Sequence, residues 1–282
     1  MRRALHISPN AYKSVDSNQS TRAIWEELSK EYDEYHILAR SVDNHSHEYV
    51  DGKFHMHLVP GLWRPASFFL TSFFAIKSLM KKYKFDIIIC QCAIFGGYWA
   101  TKLCRAAPVL VEIHEIFYFT YLEGKNLLSR MLSPIIRFSY EHATAVRSLN
   151  ESMTGRLRRD NIKNEHVYEV YNRVNMELFH AARTDYTLHD PIKLISVGNF
   201  VESKGHQYLF EAITSLRDSF DIELTLIGGG PLKETYHEYV QRNNLNVILI
   251  DRIPQAEITR LMDRADIYVQ PSLTEGMPRV IL

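Results

Sequence analysis

The sequence predicts an α/β fold with parallel sheets, arranged in two domains. Short apolar, β-rich runs alternate with helical patterns along all 282 residues, which is typical of parallel strands joined by crossover helices. The alternation occurs in two series, separated by the polar interval 181–191. Hydrophobic residues make up 46% of the chain, enough for two cores. We therefore predict a first domain at 1–180, a linker at 181–191 and a second domain at 192–282.

The first series begins with a strand close to the amino terminus. Its apolar runs predict strands at 3–8, 35–39, 55–59, 86–92, 109–114 and 144–147. Apolar residues at helical spacing predict crossover helices at 20–32, 68–84, 127–142 and 150–159. Either Ser148 or Asn150 is available to cap the last of these helices.

The second series repeats this order after the linker. Strands are predicted at 193–197, 222–227, 246–250 and 266–270, with helices that end near Phe220, Asn243 and Ala265. Each series thus predicts a Rossmann-like domain. Ligands bind the sheets of such domains beyond the carboxyl ends of the strands. We expect the chemistry on residues just after strands, in a cleft between two facing domains.

Composition and charge exclude several classes of protein. Lys+Arg and Asp+Glu both number 33, so no overall field attracts nucleic acid. The start of the chain does not resemble a signal peptide, and its longest apolar stretch, 66–80, is interrupted by polar residues and too short to cross a bilayer. Cys90, Cys92 and Cys104 lack metal-ligand spacing and are interpreted as buried apolar residues in a reduced, cytoplasmic setting.

The segment 68–84 is aromatic and, near its end, rich in lysine. This pattern suits an amphipathic helix that rests on anionic lipid. The alternative is an ordinary crossover helix with a solvated lysine face. The first interpretation predicts a peripheral contact with the inner face of a membrane.

The loop after the strand 193–197 carries Lys204 and Gly205 just before a helix. Glycine lets the backbone approach a ligand, a helix start offers amide donors, and lysine supplies a full positive charge. These groups suit a diphosphate, although a solvated turn is the alternative. After the next strand stand Gly228, Gly229 and Gly230, which do not form the dinucleotide fingerprint and are explained equally well by a tight turn.

Five segments in this half form an ordered series. They read VGNFVESKG, IGGGPLKE, DRIPQ, ADIYVQPS and EGMPRVIL. In this order and at these separations they resemble the donor domain of family 4 glycosyltransferases. The resemblance implies the GT-B fold, which consists of two facing Rossmann-like domains, and retaining transfer from a nucleoside-diphosphate sugar.

The resemblance also implies roles for particular residues. Lys204, with Gly205 beside it, matches the lysine that binds the donor diphosphate. Glu275 matches the first acid of an E-x7-E motif, whose carboxylate holds the donor sugar. Ile253 matches the position whose backbone meets the nucleotide base. The full set of implied donor-binding residues is Gly198, Asn199, Lys204, Gly205, Gly229, Ile253, Glu275, Gly276 and Met277.

The first domain matches the family more loosely. The segment VEIHEIF resembles the strand end at which the family keeps a histidine near the sugar, so His114 joins Lys204 and Glu275 as a candidate catalytic residue. An ordinary loop histidine is the alternative. Asn172, Val174 and Phe179 match a segment that precedes the linker in the family.

Two departures from the family pattern affect the donor side. Asn199 stands where many members have an arginine, and an amide donates weaker hydrogen bonds than a guanidinium. The sequence also ends at Leu282, just before the second acid of E-x7-E. We therefore expect a truncated second domain, with an exposed sheet edge and little activity.

The function expected from the resemblance is hexose transfer to a glycan or lipid-linked acceptor in cell-surface polysaccharide synthesis. The donor is UDP- or GDP-linked, and no cofactor or metal is expected. Two alternatives stay open: a catalytically inactive module that binds a sugar nucleotide or a partner, and a nucleotide-sugar epimerase on the same scaffold.

Overall fold

The structure, a computed structural model, describes residues 1–16, 19–61, 65–114, 118–172 and 185–281. The chain divides into two compact units, Met1–Asn172 and Arg173–Leu282. Each unit contains a sheet of parallel strands with flanking helices, which confirms the predicted fold class. The predicted linker 181–191 lies partly outside the described residues, and its boundaries stay a prediction.

Within the described residues, the first unit has an eight-stranded sheet. Its strands are β1 (Arg3–Tyr12), β2 (Glu34–Ser41), β3 (His47–Asp51), β4 (Phe54–Val59), β5 (Ile87–Cys90), β6 (Val109–Glu112), β7 (Ala145–Ser148) and β8 (Val167–Glu169). The spatial order is β3-β4-β2-β1-β5-β6-β7-β8, and every neighbouring pair is parallel except β3 and β4.

Helices connect these strands. They are α1 (Gln19–Leu28), α2 (Pro65–Lys82), α3 (Tyr98–Leu103), α4 (Tyr118–Leu122), α5 (Leu127–His142) and α6 (Glu151–Arg159). Asn150 caps α6 by accepting a hydrogen bond from the backbone N–H of Met153 at 2.9 Å, which settles the predicted choice between Ser148 and Asn150. No helix of the described residues is long and apolar enough to cross a bilayer.

Alternating side chains give the first sheet two different faces. Tyr35 of β2 pairs with Phe54 of β4, and both are buried in a cluster that includes Trp25 of α1. The next residue of each strand, His36 and His55, points to the opposite face because successive side chains alternate. The core under α1 is therefore mainly apolar, with His6 packed against Trp25, whereas the opposite face carries His36 and His55.

Three features of this sheet differ from the sequence prediction. Strand β1 continues past the predicted end at residue 8, and its register shifts between Ile7 and Ala11 around Pro9. Proline lacks the N–H that a regular ladder needs, so an irregularity there is expected. Strand β3, which was not predicted, forms an antiparallel hairpin with β4 through a turn at Gly52, whose φ is 57°. The short edge strand β8 was not predicted either.

The second unit has a smaller, fully parallel sheet. Its strands are β9 (Ile192–Val197), β10 (Ile222–Ile227), β11 (Val247–Ile250) and β12 (Ile267–Tyr268), in the order β11-β10-β9-β12. Its helices are α7 (His206–Leu216), α8 (Lys233–Arg242) and α9 (Gln255–Arg264). Leu224 and Leu226 of β10 pack with Phe210 of α7 and Tyr236 of α8, while Ala265 packs against the opposite face.

Candidate functional site

The central pair of the candidate site comes from two loops that follow adjacent strands. Strands β9 and β12 are parallel neighbours, so their carboxyl ends lie at the same edge of the sheet. Lys204 follows β9 and Glu275 follows β12. The Nζ atom of Lys204 donates to Oε1 of Glu275 at 2.5 Å. These two predicted residues are thus close enough to contact a single ligand.

The hydrogen bonds that the described residues donate to the Glu275 carboxylate all end on one oxygen. Besides Lys204, Oε1 accepts from Oγ of Ser272 at 2.7 Å and from Nε2 of Gln270 at 3.0 Å. Among the described residues, no hydrogen-bond donor reaches Oε2. The side chains of Lys204 and Glu275 are 23% and 22% exposed, so solvent and a ligand can reach the pair.

Backbone contacts join the two loops. The N–H of Leu273 donates to the carbonyl oxygen of Ser203 at 2.9 Å. Gly205 has a left-handed backbone with φ 65°, and a Cβ at that position would overlap the carbonyl oxygen of Pro271. Glycine is therefore required at position 205, both for the backbone conformation and for the close approach of the loops.

Gly198 and His206 border this pair. A Cβ on Gly198 would lie 3.7 Å from Cδ of Lys204 and 3.5 Å from Nε2 of His206. Burial, followed by the positive charge of Lys204, lowers the pKa of His206 to about 4, so the imidazole is neutral at pH 7. Burial and the nearby Glu275 carboxylate raise the pKa of Tyr268 to about 12.

A second polar group lies at the ends of β9 and β11. The Oδ1 atom of Asn199 accepts a hydrogen bond from Nη2 of Arg252 at 2.9 Å. A Cβ on Gly229 would lie 3.9 Å from the Arg252 side chain. Arg252 thus places a guanidinium beside Asn199, the position at which many members of the resembled family have an arginine. Arg252 was not among the predicted residues, although its position two residues after the end of β11 was a usable signal.

The other donor-side predictions have less distinctive surroundings. Ile253 is half-buried and packs its side chain against Ile195 and Ile227, which leaves its predicted backbone role untested. Gly276 and Met277 follow Glu275 in the same loop and are half-buried. Their predicted contacts with a donor stay predictions.

His114 lies in the first unit, just after β6. Its Nε2 is 2.9 Å from Oε2 of Glu112, and the other oxygen of Glu112 accepts from Nη1 of Arg147 at 2.7 Å. Because a carboxylate only accepts, Nε2 of His114 carries the proton of this hydrogen bond. Burial opposes ionisation of Glu112, but His114, His6 and Arg147 together lower the pKa of this carboxyl to about 2.

Part of the predicted pattern lies outside the described residues. Val174 and Phe179 belong to the segment 173–184, and Leu282 is the last residue of the chain. Asn172, the remaining member of the predicted segment before the linker, is described and is half-buried.

Two family profiles together match nearly all of the chain. The profile described as "Glycosyltransferase Family 4" matches residues 17–178, and the profile described as "Glycosyl transferases group 1" matches residues 181–282.

Curated relatives cover parts of the same region. Protein CapJ of Staphylococcus aureus is 25% identical over 209 residues, which span 71% of this chain and 52% of CapJ. The amylovoran biosynthesis glycosyltransferase AmsK of Erwinia amylovora is 35% identical over 104 residues, which span 34% of this chain and 26% of AmsK. The matches therefore span about half of CapJ and about a quarter of AmsK.

Solved structures share the fold at low sequence identity. A sucrose-phosphate synthase from Thermosynechococcus elongatus has a TM-score of 0.76 at 18% identity, over 99% of this chain and 78% of its own. Anabaena HepE, solved in complex with UDP and glucose, has a TM-score of 0.68 at 14% identity, over 100% of this chain and 77% of its own. These likenesses confirm the predicted GT-B fold.

Proposed function

We propose that this chain, which belongs to glycosyltransferase family 4, transfers a hexose from a nucleoside-diphosphate sugar. The acceptor is a hydroxyl group, and the anomeric configuration is retained. The observation that carries this proposal is the contact between Lys204 and Glu275 at one edge of the second sheet. A cation beside a carboxylate suits a donor whose diphosphate is anionic and whose sugar presents hydroxyl donors.

Positive groups around the β9 loop suit the diphosphate. Lys204 supplies an ammonium group and Arg252 a guanidinium, while α7 begins immediately after Gly205. The first N–H groups of a helix have no partner within the helix and stabilise an anion. Arg252 thus provides the charge that Asn199 lacks. Because these groups can neutralise the leaving diphosphate, we propose that the reaction needs no metal ion.

Glu275 is proposed to hold the sugar. Its Oε2 has no protein donor within the described part of the chain, so a sugar hydroxyl can donate to it without breaking the bonds to Oε1. Diphosphate binding competes for the ammonium of Lys204, which then lies between phosphate and carboxylate. The same cation would thereby position both parts of the donor.

The chemical step follows from these positions. The bond from the anomeric carbon to the phosphate oxygen breaks while the acceptor oxygen attacks on the same face of the sugar. The leaving phosphate oxygen takes the acceptor's proton, so no separate base is needed. We propose that His114 accepts a hydrogen bond at the donor sugar through Nδ1, since Glu112 keeps the proton on Nε2.

Cell-surface polysaccharide synthesis is the proposed setting. AmsK is named for the biosynthesis of a polysaccharide, and we extend that setting to this chain together with a glycan or lipid-linked acceptor. Calorimetric titration with UDP and GDP, followed by product analysis with matching donor sugars, tests the proposal. Transfer with the anomeric configuration retained supports it. Epimerised donor without transfer, or binding without turnover, contradicts it.

Replacing Lys204 provides the sharper test. Loss of a charge-assisted contact costs about 1.5–3 kcal/mol, so Lys204→Ala should weaken nucleoside diphosphate binding roughly ten- to a hundredfold. Lys193→Ala, near the amino end of β9, is the matched control and should leave affinity unchanged. Equal affinity of Lys204→Ala and the parent protein would contradict the proposed diphosphate site.

We also propose a peripheral contact between α2 and the inner face of a membrane. Leu70 and Phe74 are 62% and 69% exposed, and the exposed Lys77 and Lys81 continue the same helical stripe. Phe74→Ser and Lys81→Glu should each reduce flotation with phosphatidylglycerol vesicles but not with phosphatidylcholine vesicles. Lys163→Glu changes an exposed lysine elsewhere in the unit and serves as the control. Unchanged flotation of both α2 variants would remove the proposal.

A further inference from the structure

Ionisable side chains lie on the face of the first sheet opposite the core under α1. Glu34 and His36 alternate along β2, and His55 and His57 alternate along β4. Because His36 is the register partner of His55, these four side chains point to the same side. Glu34, His36 and His55 lie near the amino ends of their strands, whereas His114 lies after the carboxyl end of β6.

We infer that Glu34, His36 and His55 form a binding site for a divalent transition-metal ion such as Zn²⁺. One ligand atom from each residue lies within 4.8 Å of the others. Nε2 of His36 is already 3.3 Å from Oε2 of Glu34, and ligands at Zn²⁺ bond lengths stand roughly 3.3 Å apart in a tetrahedron. His55 is half-buried, so rotation of its imidazole supplies the remaining approach, and water is the fourth ligand.

The surroundings orient the buried ligand His36. Its Nδ1 is 3.0 Å from Nε2 of His57, and Nδ1 of His57 is 3.6 Å from Oε1 of Glu48. Without an ion, Nε2 of His36 carries the proton that faces the Glu34 carboxylate. When an ion binds, this proton is lost from Nε2, and a proton on Nδ1 can be donated to His57, so that the Nε2 lone pair faces the ion. Metal-binding histidines usually donate their second ring N–H to such an acceptor, which fixes the ring and the tautomer.

A positively charged side chain, Arg3, already contacts one of the proposed ligands and would compete with a metal ion. Nε of Arg3 donates to Oε2 of Glu34, the oxygen that faces His36, so an ion must displace this guanidinium. The Arg3 side chain is 24% exposed and can move into solvent. Rings of Tyr83 and Phe85, 4.4 and 5.1 Å from the His36 ring, cover the inner side. A bound ion would join β2 to β4. It would lie at the edge of the sheet opposite His114 and would take no part in the proposed transfer reaction.

The test uses tag-free, full-length protein treated with EDTA and dialysed. Titration with ZnCl₂ should show one ion per chain, and Co²⁺ should give the visible absorption of a tetrahedral site. His55→Ala and Glu34→Gln should each weaken Zn²⁺ binding at least about tenfold. Arg3→Ala removes the competitor and should strengthen it. Zn²⁺ should also raise the Tm of the parent protein but not that of His55→Ala.

His45→Ala is the matched control, because His45 is a histidine of the same unit whose side chain is 79% exposed and outside the cluster. It should bind Zn²⁺ as the parent does. Circular dichroism establishes that each variant is folded, and replacement of the half-buried His55 disturbs the core less than replacement of the buried His36. Undetectable Zn²⁺ binding by the parent, or equal affinity of the parent and the His55 and Glu34 variants, would overturn the inference.

Discussion

Each unit contains a carboxylate paired with a cation, but the surroundings of the two pairs differ. Glu112 of the first unit is 7% exposed and uses both oxygens, one for Arg147 and one for His114. Glu275 of the second unit is 22% exposed and uses one oxygen for every donor that the described part of the chain supplies. The first pair is a fixed part of the scaffold, whereas the second can exchange partners with a ligand. Stability should therefore depend on Glu112, and ligand binding on Glu275.

The largest expected effect tests this contrast directly. Glu112→Ala leaves Arg147, which is 19% exposed, without its carboxylate, and breaking a buried pair costs about 3–5 kcal/mol of unfolding free energy. Glu275→Ala breaks a more exposed pair and should cost about 1 kcal/mol or less. Urea denaturation of both variants measures the difference. Similar losses in the two variants would remove the distinction between scaffold and exchangeable pair.

Acid should act on both units through buried histidines, among them His6 and His36 in the first unit and His206 in the second. Burial lowers the pKa of His6 in the first unit, and of His206 in the second, from 6.5 to about 4. Both folded pKa values lie below the unfolded value, so the stability contribution is complete above about pH 6.5 and is lost as the pH falls toward about 4. Between about pH 7.5 and about pH 5, each histidine should cost about 2 kcal/mol of unfolding free energy.

Single replacements separate the two contributions. His6→Gln and His206→Gln should each flatten the pH dependence of the unfolding free energy, whereas His45→Gln, at an exposed position, should leave it unchanged. Urea titrations at several pH values provide the measurement. A pH dependence equal to that of the parent in both glutamine variants would show that these imidazoles titrate normally.

Ligand binding sharpens the comparison within the second unit. Arg252→Ala should weaken nucleoside diphosphate binding about tenfold, since it removes one charged donor. Its effect on unfolding should be small because the side chain is exposed. Arg260→Ala changes an exposed arginine of α9 and is the control for calorimetry. Unchanged affinity of Arg252→Ala would mean that the positive charge near Asn199 does not contribute.

The smallest effect concerns helix starts. Asn126 and Asn150 cap α5 and α6 with their side chains, whereas α7, α8 and α9 have no side-chain cap. Asn150→Ala should cost about 1 kcal/mol of unfolding free energy. Gln241→Ala, at an exposed position of α8, should change it little. A negligible effect of Asn150→Ala in urea denaturation would contradict the assigned cap.

Much of the fold could be predicted because periodicity and local capping determine it. The helix predicted at 127–142 has those limits in the structure, and Asn150 was a predicted cap. The hairpin of β3 and β4 was missed, although Asp51 followed by Gly52 between apolar runs is a recognised turn signal. The alternation of strands and helices along the chain favoured parallel strands, and this antiparallel pair is an exception to it.

The candidate site was predictable where loops follow neighbouring strands. Lys204 and Glu275 were each predicted from a motif, and the parallel pairing of β9 with β12 brings them together. The contact of Glu112 with Arg147 joins residues 35 positions apart, and no local pattern indicates it. Arg252 contacts Asn199 through a side-chain conformation, which periodicity does not report.

The start of α7 has no side-chain cap, and the proposed diphosphate would occupy that position. N–H groups without a partner in the first turn of a helix exchange readily with solvent. A bound anion accepts hydrogen bonds from these groups, as a capping side chain does. Deuterium uptake at 206–209 should therefore slow when a nucleoside diphosphate is added. Uptake at the start of α6, which already has its own asparagine, should stay the same.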